Sequence, residues 1–338
     1  MRGIAILAIM LHNYCHYVKG IAKENEYQFL TKRCDRLWEA LTSPDEFLPM
    51  DFLSFFGHYG VPVFLFLSGY GLIRKYELDP QPVGHIPFLR YHYLKLLRML
   101  IVGFVLFIMV DAVTPGRFPF HWDNVIAQLL MYINVLPEPD KIIWPGIYWF
   151  FGLMMELYVV YRLLLYRRSS LLVVGLIAVC WLLQLLCDPA GATLNRLRYN
   201  FVGGMLPFGA GILLARHGDR IPALSLRPYG WLLVSVATFA LVFALCFHFH
   251  SWLWIPLPVI VASVALVRSL PQSLFRVAEW IGSLSAAMFV AHPIARKLLI
   301  IVAWKDDIYD GLMLYVVVTI GLSWAVKQII DHIPAPKL

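Results

Sequence analysis

Long apolar runs that do not alternate recur along this chain, and nothing else in it constrains the fold as strongly. "GVPVFLFLSGYGLI", residues 60–73, is one of them. A half-buried strand, or a strand of a membrane barrel, alternates apolar and polar residues with a period of two. These runs stay apolar over roughly the 20 residues that a spanning helix needs. Composition sharpens the point: charged residues are 14% of the chain and the mean hydropathy is +0.70. A soluble domain carries about a quarter charged residues. In lipid every backbone polar group must be satisfied internally, which leaves helices once barrels are set aside. The expected fold class is an all-α polytopic membrane protein.

About ten transmembrane helices can be drawn, at 3–19, 50–73, 96–113, 146–166, 170–187, 200–215, 229–249, 252–268, 281–303 and 311–330. Lys and Arg concentrate in cytoplasmic loops. With the N-terminus inside, inner loops hold Arg74, Lys75, Arg90 and Lys95, then Arg162, Arg167 and Arg168, and later Arg216, Arg220 and Arg227. The outer segment 20–49 balances Lys23, Lys32 and Arg33 with Glu24, Glu26 and Asp35. This alternation requires that "HWDNVIAQLLMYINVL", residues 121–136, not cross; it is short and is followed by Pro137, Pro139 and Pro145. It reads as a re-entrant or interfacial helix, with both termini cytoplasmic and the whole chain multi-pass in the inner (plasma) membrane. No repeat or long linker divides residues 1–338, so a single membrane domain is expected.

The net charge of +7 follows from the positive inner loops, and nothing resembles a nucleic-acid module. The five cysteines are odd in number and form no CxxC, and most lie in spans, where Cys behaves as a small hydrophobe. Neither a disulfide framework nor a metal site is expected. The first segment lacks a small-residue cleavage site and reads as a helix rather than a signal peptide. Arg2 lies so close to the first residue that a short upstream lead-in is expected.

Titratable residues inside the spans gather in a few stretches. In "RGIAILAIMLHNYCH", Arg2, His12, Asn13 and His16 fall within an arc of about 100° on an otherwise apolar helix. A charge at mid-bilayer costs about 2.5–3.5 kcal/mol on insertion scales, so such a stripe faces protein or water. The second span adds His58, Ser68 and several glycines. "FLRYHYLKLLRMLIVG" places Arg90, His92, Lys95 and Arg98 at the inner end of the third span, suited to positive-inside topology, to lipid headgroups or to a phosphate-bearing ligand. Glu156 lies about ten residues into the fourth span, and His292 precedes Pro293 in the ninth.

Taken in order, these stretches resemble the acyltransferase-3 family of membrane acyltransferases. The opening is similar to its "LRGIAxxxVxxxH" helix, "GVPVFLFLSGYGL" to "GVxxFFxLSGfxL", "YWFFGLMMELY" to "WxLxxExxFY", and "GSLSAAMFVAHP" to "GxxSYxxYLxHxP". "LKLLRML" resembles the family's basic pair, and "MLPFGAGILLAR" its "FxxGxLLA" helix. The resemblance implies transfer of an acyl group, commonly acetyl from acetyl-CoA, to hydroxyls of surface glycans or glycolipids. It implies an acyl-CoA co-substrate rather than a permanently bound cofactor. It assigns His12 as catalytic base with His16 in reserve, and Glu156 as its carboxylate. Arg2, Lys95, Arg98, Ser68 and His292 fall at positions expected to serve acyl-CoA binding. One departure keeps the two histidines open as alternatives. The family leaves about ten residues between its arginine and histidine, whereas here nine precede His12 and Asn13 occupies the usual slot.

A thioester is already activated, so attack by a hydroxyl needs chiefly a base to take its proton, and neutral imidazole suits that role. A two-step route through an acylated His12 stays open beside direct transfer. The alternative function is a transporter or flippase of a polysaccharide export system, using the same intramembrane His, Arg and Glu.

Overall fold

The computed structural model describes residues 1–78, 83–220, 224–305 and 307–338. Sixteen α-helices follow one another there: α1 Arg2–Cys15, α2 Thr31–Thr42, α3 Leu48–Phe56, α4 Gly60–Tyr76, α5 His85–Val113, α6 Trp122–Leu129, α7 Pro139–Ile142, α8 Trp149–Val160, α9 Ser170–Leu185, α10 Ala192–Tyr199, α11 Phe201–His217, α12 Pro228–Leu245, α13 Phe249–Trp252, α14 Pro256–Ser269, α15 Gln272–Lys305 and α16 Ile308–His332. No strand occurs among the described residues and the structure is 78% helix, so the all-α expectation holds.

Among the described residues, six helical segments are long and apolar enough to cross a membrane: Leu48–Tyr76, His85–Val113, Gly146–Leu165, Pro228–Leu245, Gln272–Ile301 and Ile308–His332. The apolar α9 and α14 are shorter, as are α1 and α11, with 14 and 17 residues. A helix occupies each of the ten expected positions. The stretch 121–136 forms only the 8-residue α6 and a 3₁₀ turn, Ile133–Val135. Two helices start earlier than their apolar runs do. α5 begins at His85, just after Gly84, so its basic stretch is a helical extension of the span. α15 begins at Gln272, immediately after Pro271.

Large apolar side chains face outward on α12 (Leu233 65% exposed, Val236 59%) and α16 (Met313 69%, Val317 68%). Surfaces this apolar on adjacent turns belong against lipid. The interior is organised around α1, which packs on α15, α3 and α4. α3 and α4 run antiparallel to α1, and Gly57 between them permits the approach: a Cβ there would sit 2.5 Å from the Ala8 carbonyl oxygen and 2.6 Å from His12 Cβ. Small residues at such crossings let backbones come close in membranes.

The two ends of the bundle are closed differently. Where α4 and α11 finish, the half-buried Glu77 carboxylate accepts from Arg216 Nε (2.9 Å) and Nη2 (2.8 Å), and from the Arg167 backbone N–H (3.0 Å). A bidentate Arg–carboxylate pair of this kind fixes both position and orientation. Where α1 finishes, the chain turns at Gly20, whose φ of +82° suits a residue without Cβ, and folds back over the bundle. Asp51 accepts from the Ala22 N–H at 2.6 Å, Trp252 Nε1 donates to the Asn25 carbonyl at 2.9 Å, and Phe29 N–H donates to the Pro189 carbonyl at 2.8 Å. The returning segment thus forms a pinned cap over the end of α1.

Candidate active site

His12 and His16 are one helical turn apart and share a face of α1. Their ring centroids are 5.5 Å apart, and His58 lies 5.7 Å from His12. His12 is 6% exposed, and its Nδ1 is 2.6 Å from the Ser54 carbonyl oxygen. A carbonyl only accepts, so Nδ1 carries the hydrogen and Nε2 of the neutral ring keeps the lone pair. His16 Nδ1 donates to Glu24 Oε2 at 3.1 Å by the same logic. Glu24 is buried and is brought there by the Gly20 turn, with Arg33 donating to its backbone carbonyl.

These residues line a cavity of about 290 Å³, together with Asn13, Glu26, Asp140 and Arg296. Burial opposes ionisation of Glu24, but the positive charge that the His12 and His16 rings carry when protonated, together with the His16 hydrogen bond, outweighs it and holds its carboxyl well below the usual carboxylate range. Glu26 behaves oppositely: burial first, and the Glu24 carboxylate second, push it up to about 8. Arg296, on α15, is 4% exposed; its Nη1 donates to Asn13 Oδ1 at 2.5 Å, and its guanidinium lies 3.8 Å from the centre of the Tyr17 ring. One donor atom each from His12, His16 and Glu24 lie within 4.8 Å of one another. Two imidazoles and a carboxylate are a donor set able to hold a divalent cation such as zinc.

The other residues singled out in the sequence lie elsewhere. Glu156 does not pair with an imidazole. Its carboxylate accepts from the Phe201 N–H at 2.7 Å, at the start of α11, where unsatisfied amides and the helix dipole favour a negative charge. The carboxylate that meets a cavity imidazole is Glu24. His292 is fully buried and its Nδ1 donates to the Met288 carbonyl at 2.9 Å, within its own helix. Ser68 is half-buried on α4. At the opposite end of α1, exposed Arg2 lines a separate cavity of about 340 Å³ with Phe275, Glu279 and Ser283. Lys95 is exposed on α5. Arg98 is committed to the last turn of α16: Nε donates to the Ile330 carbonyl at 2.8 Å, and Asp331 is 4.0 Å away.

Two cavity residues carry no local sequence signal as strong as their position. Glu24 reads in sequence as one acid among several in 20–49, and only the fold-back brings it to His16. Arg296 lies four residues past His292, in "HPIAR", a turn further along α15 and pointed to by nothing but that periodicity. Neither a curated protein nor a solved structure matches the chain. A family model described as an acyltransferase domain matches residues 1–327. With nearly all of its length covered by that match, and with several helices apolar enough to cross a membrane, the chain belongs to the acyltransferase-3 family and is a multi-pass membrane protein.

Proposed function

We propose that this protein is an integral-membrane O-acyltransferase that moves an acyl group, acetyl as the first choice, from cytosolic acyl-CoA to a hydroxyl of a glycan or glycolipid on the outer side of the plasma membrane. In this reading the ten helices all cross, both termini are cytoplasmic, and residues 1–338 act as one membrane domain. The observation that carries it is His12. Its Nδ1–H is fixed on the Ser54 carbonyl, which commits Nε2 to the role of base, and the ring lines a cavity that is capped on the side where α1 ends.

The acceptor hydroxyl gives its proton to His12 Nε2 as its oxygen bonds to the thioester carbon. A base so placed contributes typically 10²–10⁴-fold. Glu24 holds His16 and offers its negative charge to the imidazolium that forms, the part a carboxylate plays in a catalytic triad. At the other end of α1, Arg2 and Lys95 supply exposed positive charge for the phosphates of acyl-CoA. His12 lies about 15 Å further along the helix, at a rise of about 1.5 Å per residue, a span that the pantetheine arm would cover.

The test is acyl transfer by the purified protein in lipid nanodiscs, with radiolabelled acetyl-CoA and a set of neutral saccharides. Label on a saccharide that is lost in His12→Ala supports the reading. CoA-independent, proton-driven uptake of saccharide into liposomes, without label transfer, would replace it with the transporter. Activity that survives in His12→Ala and disappears in His16→Ala moves the base to His16.

A further inference from the structure

Arg296 is a buried cation, and no carboxylate pairs with it among the described residues. Several other buried or half-buried arginines of the interior lie away from this cavity: Arg216 is clasped by Glu77, Arg98 is seated on a helix terminus, and Arg162, which also has no carboxylate partner among the described residues, donates to the Val83 carbonyl beside the rings of Phe88 and Tyr166. Arg296 instead has a neutral acceptor, Asn13 Oδ1, on Nη1 and the face of Tyr17 beneath it. Its remaining N–H groups have no hydrogen-bond partner among the described residues, while the side chain lines the cavity that His12 lines. A charge removed from water and left without a counter-ion is costly, and the cost is recovered when a ligand or reaction brings the opposite charge to it. Asn13 adjoins His12 in the chain, so the guanidinium is anchored one residue from the base.

We infer that Arg296 is a catalytic residue whose free N–H groups receive the negative charge that develops on the thioester carbonyl oxygen during transfer. The inference rests on the O-acyltransferase reading. The step balances. The acceptor oxygen bonds to the thioester carbon while its proton passes to His12 Nε2, and the C=O π pair moves onto oxygen, where Arg296 donates to it. The carbonyl then re-forms, the C–S bond breaks, and the departing sulfur takes the proton from His12, leaving ester and CoA thiol. The rival use of such a cation is to hold an acidic group on the acceptor. Glu24 and Asp140 line the same cavity and oppose the approach of an anionic saccharide.

The experiment measures CoA thiol release by the intact protein in nanodiscs, with acetyl-CoA and neutral saccharides or water as acceptor, for wild type, Arg296→Gln, Arg296→Ala and Asn13→Asp. Removing an oxyanion donor costs about 10²–10³ in kcat, so Arg296→Gln should lose that much with KM values within about threefold of wild type. Added guanidinium ion should restore part of the activity of Arg296→Ala. Asn13→Asp keeps Arg296 but gives it a carboxylate, and should lower kcat at least tenfold in a protein that remains folded. Arg296→Gln or Asn13→Asp with kcat within about threefold of wild type overturns the inference. So does a loss confined to KM for an acidic saccharide, which would make Arg296 an acceptor clamp. Wild type that releases no thiol and labels no acceptor removes the acyltransferase reading itself, a result distinct from an active wild type with an indifferent Arg296.

Discussion

The two ends of α1 use polar residues in opposite ways. At its start the cations are exposed or already engaged: Arg2 and Lys95 reach outward, and Arg98 is held by the Ile330 carbonyl. At its end the titratable groups converge, with His12, His16, His58, Glu24 and Arg296 around one cavity beneath a pinned cap. Exposed charges interact weakly because water screens them. Converged and buried charges interact strongly, and their protonation states are set by geometry. Under the proposed function this difference would put attraction of a ligand at one end and bond-making at the other, which in kinetic terms separates KM from kcat.

The sharpest way to break that division is at the buried end. His12→Ala should lower the rate of acyl transfer about 10²–10⁴-fold, measured as label on the acceptor, with the size-exclusion profile unchanged. Glu24→Gln should cost about tenfold in kcat, equivalent to ~1.4 kcal/mol of barrier, because His16 keeps an acceptor but loses a charge. Glu156→Ala should behave as a structural change. The loss of its bond to the Phe201 N–H should lower stability by about 1–3 kcal/mol, read as a lower Tm, with kcat per folded molecule near wild type. A kcat collapse in Glu156→Ala at unchanged Tm would return that residue to the chemistry. At the exposed end, Lys95→Gln should raise KM for acyl-CoA by up to about fivefold, corresponding to ~1 kcal/mol for a screened surface charge, while kcat holds.

The smallest effect is in pH. Glu26 holds its proton up to about pH 8 in the folded protein, against an ordinary value of 4.5. Between those values the folded state binds more protons than the unfolded one, so stability falls as pH rises through that window and levels off above it. Glu24 has the opposite sign: its contribution is present above its ordinary value and is lost only in strong acid. Tm followed from pH 5 to 9 should therefore slope downward to about pH 8 in wild type, and Glu26→Gln should flatten the slope.

The helices were legible because lipid imposes length and apolarity on a segment independently of its neighbours. A helix lies at each expected span, and the 121–136 stretch forms only the short α6 and a 3₁₀ turn. His12 and His16 were legible because a polar stripe on an apolar helix is a local anomaly. Glu24 was not, since its role depends on a turn at Gly20 and an anchor at Asp51, neither of which is encoded near His16. The partner of Glu156 was hidden for the complementary reason. A lone carboxylate in a span advertises a partner, but the partner is a backbone amide at the start of α11, which no side-chain pattern reveals.

Ser54 and Gly57 are neighbours on one turn, and between them they hold the His12 ring: one takes its Nδ1–H, and the other leaves the room in which its Cβ lies. The histidine is therefore a built-in gauge of helix register. A slide of the second span by a single residue would withdraw the acceptor that keeps hydrogen on Nδ1. The ¹⁵N chemical shifts of that one imidazole would record the displacement.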